Sequence, residues 1–301
     1  MTPAAGGLEA RAEELRAART PFVSATVVQA ERPTSAKPGD AALVLADGTV
    51  LGFVGGECAA TSVQAEALAA LAREEPVLLR ITPSPEAGEA RPGTVTVHNP
   101  CLSGGTLEIF LEPAVPVPLL VVHGEAPIAR ALATVAGAAG YAVEPWSGAA
   151  LPPDTTAVIV ASHGRDEAGA ITAALEAGVP YIGLVASPRR GTGVLDALGL
   201  PPAQRARVRT PAGIDIGART PGEVAVSILA EIVSVRPRRE RAVAPPAAGA
   251  GAATATDPVC GMTVACVPAS LSVEVDGRRW WFCGTGCRDA FVADPGAFAR
   301  R

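Results

Sequence analysis

Cys260, Cys283 and Cys287 are the residues whose types and spacing most clearly suit chemistry. Thiolates are soft ligands, and a set of three suits zinc or copper. Cys283 and Cys287 lie one helical turn apart, so their sulfurs can share one ion. The C-x22-C-x3-C spacing is far more specific than a single C-x-x-C pair. Cys266 is the spare, a candidate fourth ligand. The competing reading makes each cysteine a small buried apolar residue. The crowding of four of the chain's six cysteines into the tail favours metal.

Two further cysteines sit beside glycine pairs. Gly55-Gly56-Glu57-Cys58 ends a strand and precedes the helix-like stretch 59–73. Cys58 is therefore expected on a glycine turn at a helix N-terminus, where exposed N–H groups and the helix dipole lower a thiol pKa. Cys101, in Asn99-Pro100-Cys101-Leu102-Ser103-Gly104-Gly105, precedes a strand at 106–111. Such turns suit a soft metal or an anion; simple burial accounts for them equally well.

A third set of polar residues follows apolar strands. Leu119–Val122 reads as a buried parallel strand leading into His123-Gly124-Glu125-Ala126-Pro127 and a helix. That is the order of a dinucleotide fold, with the fingerprint degraded to G-x-A-x-x-A. Strands at 157–161 and 181–185 end in Ser162-His163-Gly164-Arg165-Asp166-Glu167 and Ala186-Ser187-Pro188-Arg189-Arg190-Gly191. Their loops gather at the carboxyl edge of the sheet, where Arg165, Arg189 and Arg190 would suit phosphate. Glu144 is the one candidate for a ribose contact. Asp215, in the loop 211–221, could touch a ligand or stabilise its own turn, and Thr220 and Pro221 open the next helix.

The elements that must carry these residues divide the chain. Of 301 residues, 49% are hydrophobic and 18% charged, which excludes wholesale disorder. Apolar runs are strand-sized, so no membrane span is expected, and the absence of a signal pattern at the N-terminus predicts a cytoplasmic protein. A net charge of −5 offers no general attraction to nucleic acid. Residues 236–256, rich in Ala, Pro and Gly, read as a flexible tether. The hairpin around Asp47-Gly48 is expected to use a type I′ turn. The resulting class is α/β: an N-terminal α+β domain (1–113), a Rossmann-like parallel-sheet domain (114–236), a linker (237–256) and a small ββα metal-binding domain (257–301).

Several stretches in order resemble the XdhC/CoxI family of molybdenum-hydroxylase maturation factors. They are PTSAKPGDAA (33–42), GFVGGEC (52–58), PCLSGGTLEIFLE (100–112), SHGRDE (162–167), VPYIGLVAS (179–187) and GIDIGARTPGEVAVSILAEIV (213–233). DPVCGMTV (257–264) and WFCGTGC (281–287) resemble a YHS (TRASH-like) metal-binding domain fused behind. The resemblance implies a cofactor chaperone more than an enzyme. It would bind molybdenum cofactor, a pyranopterin in plain or dinucleotide form, and aid its insertion into a xanthine- or CO-dehydrogenase-type apoenzyme. A cysteine desulfurase-type partner would supply sulfur, and a homodimer would suit a split site. Carried over, Gly55, Gly56, Cys58 and Cys101 become molybdenum-side contacts. Gly124, His163, Arg165 and Asp215 become pterin or phosphate contacts. Two alternatives stand beside it: an NAD(P)-dependent oxidoreductase, and a metal sensor or metallochaperone acting through the tail.

Overall fold

In a computed structural model the described residues are 5–84, 91–100, 105–235 and 253–298. The chain divides into two units, residues 1–116 together with 241–301, and residues 117–240.

The first unit is built on a mixed six-stranded sheet. Its elements are α1 (Ala5–Ala17), β1 (Phe22–Glu31), β2 (Ala41–Leu45), β3 (Val50–Gly52), α2 (Glu57–Arg73), β4 (Val77–Thr82), β5 (Thr94–His98) and β6 (Thr106–Ala114). The strand order is β3-β2-β1-β6-β4-β5; β4 and β5 are parallel and the other neighbours antiparallel. Alternation decides the faces. Val23, Ala25 and Val27 of β1 join Val63 and Ala67 of α2 in one core, while Phe22 and Leu43 point the other way against Ala12 and Leu15 of α1.

The turn between β2 and β3 corrects the type I′ expectation. Only Gly48 takes a left-handed φ (+87°); Asp47 does not. The Gly48 N–H donates to Leu45 O at 2.9 Å, and the Asp47 carboxylate accepts from the Thr49 N–H at 2.9 Å. Ala46 and Asp47 therefore form the turn and Gly48 the bulge after it.

The tail completes this unit. It comprises β12 (Thr254–Thr256), β13 (Thr263–Ala265), β14 (Leu271–Val275), β15 (Arg278–Phe282), α8 (Thr285–Ala293) and α9 (Pro295–Phe298), the numbers continuing through the second unit below. Thr254–Thr256, within the stretch read as tether, pairs antiparallel with β13. Phe291 anchors the small core, with ring centroids 5.0 Å from Trp280, 5.3 Å from Phe282 and 6.4 Å from Phe298.

The second unit is a doubly wound parallel sheet. It contains β7 (Leu119–His123), α3 (Pro127–Ala138), β8 (Ala142–Pro145), β9 (Thr155–Val160), α4 (Glu167–Glu176), β10 (Tyr181–Leu184), α5 (Pro188–Ala197), α6 (Pro202–Arg205), β11 (Val208–Arg209) and α7 (Pro221–Val235). The order β11-β10-β9-β7-β8 is parallel throughout. Apolar runs bury both faces. Leu120, Val122 and Ile159 pack with Leu132 of α3 and Ile228 of α7, and Leu119, Val121 and Val158 with Ile171 of α4 and Leu195 of α5. The chain reverses between β7 and β9, which is where ligands bind in such sheets. Among the described residues no helix is long and apolar enough to cross a membrane.

Candidate functional site

The tail brings Cys260, Cys283 and Cys287 together, as their spacing predicts. Cys260 Sγ lies 3.5 Å from Cys283 Sγ, which lies 3.6 Å from Cys287 Sγ. A tetrahedral ion with sulfur ligands about 2.3 Å away holds neighbouring sulfurs roughly 3.8 Å apart, so the spacing fits a thiophilic ion. The fourth group is not Cys266, which corrects that expectation. Cys266 pairs through its N–H with Ala253 O and lies outside the cluster. The group within 4.8 Å of the sulfurs is the carboxylate of Asp257.

Asp257 is 0% exposed and its oxygens are committed to backbone. Oδ1 accepts from the N–H of Val259 (2.8 Å) and of Cys260 (3.4 Å), and Oδ2 accepts from the Cys283 N–H (2.8 Å). One carboxylate thus ties the Asp257–Met262 turn to the end of β15 and sets where two of the thiols stand. The thiols divide one another's protons. A hydrogen bond from Cys283 brings Cys260 down to about 7. The Cys283 thiol is driven far up, first by that bond and then by burial. Burial pushes Cys287 up to about 12. Without a cation one thiolate forms near neutrality; an ion would claim all three.

Cys58 stands against this cluster. It lies in the first turn of α2, behind the cap Gly56, and packs against the buried cluster of Met262, Val264 and Cys283. Gly55 has φ +133°, and a Cβ there would meet that of Ala59 at 2.9 Å, so this glycine is a requirement of the turn. A Cβ on Gly56 would meet open space. Cys101 lies outside the described residues.

In the second unit, Gly124 and the loop after β9 meet at the reversal point. Gly124 has φ +107°, and a Cβ there would collide with the Ala161 carbonyl. His123 Nε2 donates to the Arg165 carbonyl at 2.7 Å, and its ring meets Trp146 edge-on at 5.0 Å. Both residues went unmarked in the sequence, although His123 closes a strand at the carboxyl edge. His163 is exposed with φ +54°. Arg190 is not available for phosphate: its guanidinium donates to both oxygens of the buried Glu167 at 2.6 Å. Burial alone would raise Glu167, but the Arg190 and Gly164 hydrogen bonds outweigh it and hold the carboxyl below its usual range.

Asp215 caps its own turn, accepting from the Gly217 N–H at 3.0 Å, and is exposed. Its loop is tethered from beneath by Glu231, which accepts from Tyr181 Oη at 2.6 Å and from the Gly213 N–H at 2.7 Å. Burial and the adjoining carboxylate push the Tyr181 hydroxyl well above its ordinary range. Glu144, at the exposed end of β8, keeps the position of the expected ribose contact. The Thr220 hydroxyl accepts from the Glu223 N–H at 3.3 Å while Glu223 accepts from the Thr220 N–H at 2.9 Å, so the predicted cap is present.

Residues 15–82 match the sequence model of the XdhC and CoxI family, and residues 120–232 that of the XdhC Rossmann domain. The uncharacterized Escherichia coli protein YqeB is 29% identical over 255 residues, covering 75% of this chain and 45% of its own. The E. coli molybdenum cofactor insertion chaperone PaoD is 33% identical over 179 residues, covering 56% of this chain and 54% of its own. The chain thus spans about half the length of these curated relatives. A solved structure described as a xanthine dehydrogenase from Bacillus halodurans is similar with TM-score 0.36 and 18% identity, over 77% of this chain and 96% of that one.

Proposed function

We propose that this chain, which carries an XdhC and CoxI family domain and an XdhC Rossmann domain, is a non-catalytic carrier of molybdenum cofactor. Its client would be a xanthine- or CO-dehydrogenase-type apoenzyme, and a cysteine desulfurase-type protein would finish the cofactor with sulfur. The observation that carries this reading is the 33% identity to a molybdenum cofactor insertion chaperone over 179 residues. The cofactor is cargo. Its soft end is offered Cys58 at a helix N-terminus, where the dipole favours thiolate. Its phosphate is offered the loops at the β7/β9 reversal, with Gly124, His163, Arg165 and Asp215 as proposed contacts and Cys101 as a second thiol. Cys260, Cys283 and Cys287, in a YHS-like module, hold a separate zinc or copper ion. A nicotinamide oxidoreductase is the weaker reading, because the second and third fingerprint positions hold Ala126 and Ala129 rather than glycines.

The test uses chain purified anaerobically from a host that makes the cofactor, with molybdenum and oxidised pterin counted per chain. Both are expected to copurify, and Cys58→Ala is expected to retain about tenfold less. Absence of pterin from the wild type overturns the carrier reading. Wild-type retention by Cys58→Ala removes Cys58 from it.

A further inference from the structure

Strand β15 opens with Arg278-Arg279-Trp280-Trp281, two guanidiniums followed by two indoles. Two of the chain's three tryptophans therefore stand side by side in the tail. Both are only partly buried, while Phe282 beside them is fully buried. They line one wall of a cleft of about 480 Å³, whose other wall is the stretch 255–261. That volume suits one small organic ligand. Cys260 belongs to the same lining.

The cleft has a charged part, an aromatic part and a sulfur. The Arg278 guanidinium carbon lies 3.9 Å from the centre of the Trp280 ring. Stacking of this kind uses the face of a guanidinium and not its N–H edge. Among the described residues no carboxylate pairs with Arg278. Arg279 reaches Glu274 at 3.8 Å with both side chains more than half exposed, which is a weak pair. It stands 6.0 Å from the Trp281 ring centre and so does not close that indole as Arg278 closes Trp280. Trp281 packs in turn against Met262, Val264 and Cys283, which joins the aromatic wall to the thiol cluster. The one carboxylate in the lining is Asp257, and its oxygens already accept three backbone N–H bonds. The arginines set the charge of the cleft.

Guanidiniums hold phosphate through paired N–H bonds, and an indole face stacks on flat rings of any heteroatom pattern. An aliphatic anion would leave the indoles unused, and a neutral ring would leave the arginines unused. We infer that the cleft binds a planar heterocycle that carries a phosphate, with its ring on Trp281, its phosphate on Arg278 and Arg279, and its remaining end toward Cys260. Binding is noncovalent, and no bond or oxidation state changes. Two sources share this chemistry, a phosphorylated pterin and a mononucleotide. The pterin of molybdenum cofactor is the assigned one, because its sulfurs and soft metal match a thiol at the end of the cleft. The tail is then a second seat for the cargo. That last assignment rests on the carrier reading; the ligand class does not.

Trp146 is the remaining tryptophan, so full-length Trp146→Phe reports on the cleft through its tryptophan fluorescence. An oxidised, phosphorylated pterin is expected to quench that emission saturably, after correction for its own absorption. The same pterin without phosphate is expected to bind about tenfold more weakly. Adding Arg279→Ala should weaken the phosphorylated pterin about tenfold as well. That side chain is 61% exposed, so its loss leaves the small core intact. Arg288→Ala, outside the lining, is expected to change nothing. Quenching that does not saturate, or that ignores both the phosphate and Arg279→Ala, overturns the inference. Tighter binding of CMP or GMP than of the pterin overturns the pterin assignment and upholds the ligand class. Saturable quenching in a chain that copurifies no pterin overturns the carrier reading and upholds the cleft. Copurified pterin without quenching overturns the cleft and upholds the carrier reading.

Discussion

Asp257 shows how one buried carboxylate can organise a thiol site. Asp257→Asn keeps the shape but sets an NH2 group against a backbone donor, so one N–H is left without an acceptor. The cost should be about 1–3 kcal/mol, seen as a lower thermal midpoint of the tail, together with weaker zinc binding. Glu167 does parallel work in the second unit. Its pKa is held below the ordinary 4.5, so its stabilising contribution is complete above that value and is lost as pH falls through the lower, folded one. Arg190→Ala removes both charge-assisted bonds. The expected loss is about 2 kcal/mol at pH 7, below the range for full burial because the Arg190 side chain is 37% exposed. The gap to the wild type should narrow in urea melts as pH falls through the depressed folded-state pKa of Glu167, where the wild type gives up the same contribution. At this scale the sequence was legible where ligand spacing was local, as for Cys283 and Cys287. It was not legible for Asp257, Cys266 or Arg190, because their roles depend on which partner a side chain meets.

Elements that alternate or run apolar announced themselves, and their junctions did not. The strands of the second unit were readable because Leu119–Val122 and Ala157–Val160 are continuous apolar runs, which both-face burial demands. Asp47-Gly48 signalled a turn but not its type, since the pair also suits a turn in which glycine alone is left-handed. The face of α2 toward its sheet follows from Val63 and Ala67. Its opposite face carries Thr61 and Gln64, whose partners lie far along the chain in the tail, so no local pattern marks them. Gly48 joins these elements. Its carbonyl accepts from Gln64 Nε2 at 2.7 Å, and a Cβ there would collide with Val267. Gly48→Ala must therefore strain a left-handed backbone and displace Val267, at a cost of about 1–3 kcal/mol. Faster proteolysis of the tail, with the Rossmann unit unaffected, is the expected readout.

The whole molecule places the two ends of its sequence in one unit, with the Rossmann unit inserted between them. The hydrogen bond from Thr61 to Cys283 spans 222 positions, and no periodicity in either segment encodes that pairing. Metal binding should expose this organisation, because a ligand specific to the folded state stabilises the elements that hold its site. Hydrogen exchange read by mass spectrometry, with zinc and then with a chelator, separates the units. Zinc should raise protection in the tail, in the first turns of α2 and at the Gly48 turn, the segments linked through Glu57, Thr61 and Gln64. It should leave β7 to α7 unchanged. Protection confined to the tail would mean that the seating on α2 is independent of the metal. The effect should also fade as pH falls below about 7, where Cys260 takes up its proton. With Cys283 and Cys287 holding theirs more tightly still, each ion must displace protons from the thiols it binds. Affinity for zinc therefore falls with acidity, and the chelator should act fastest at the acid end of the range.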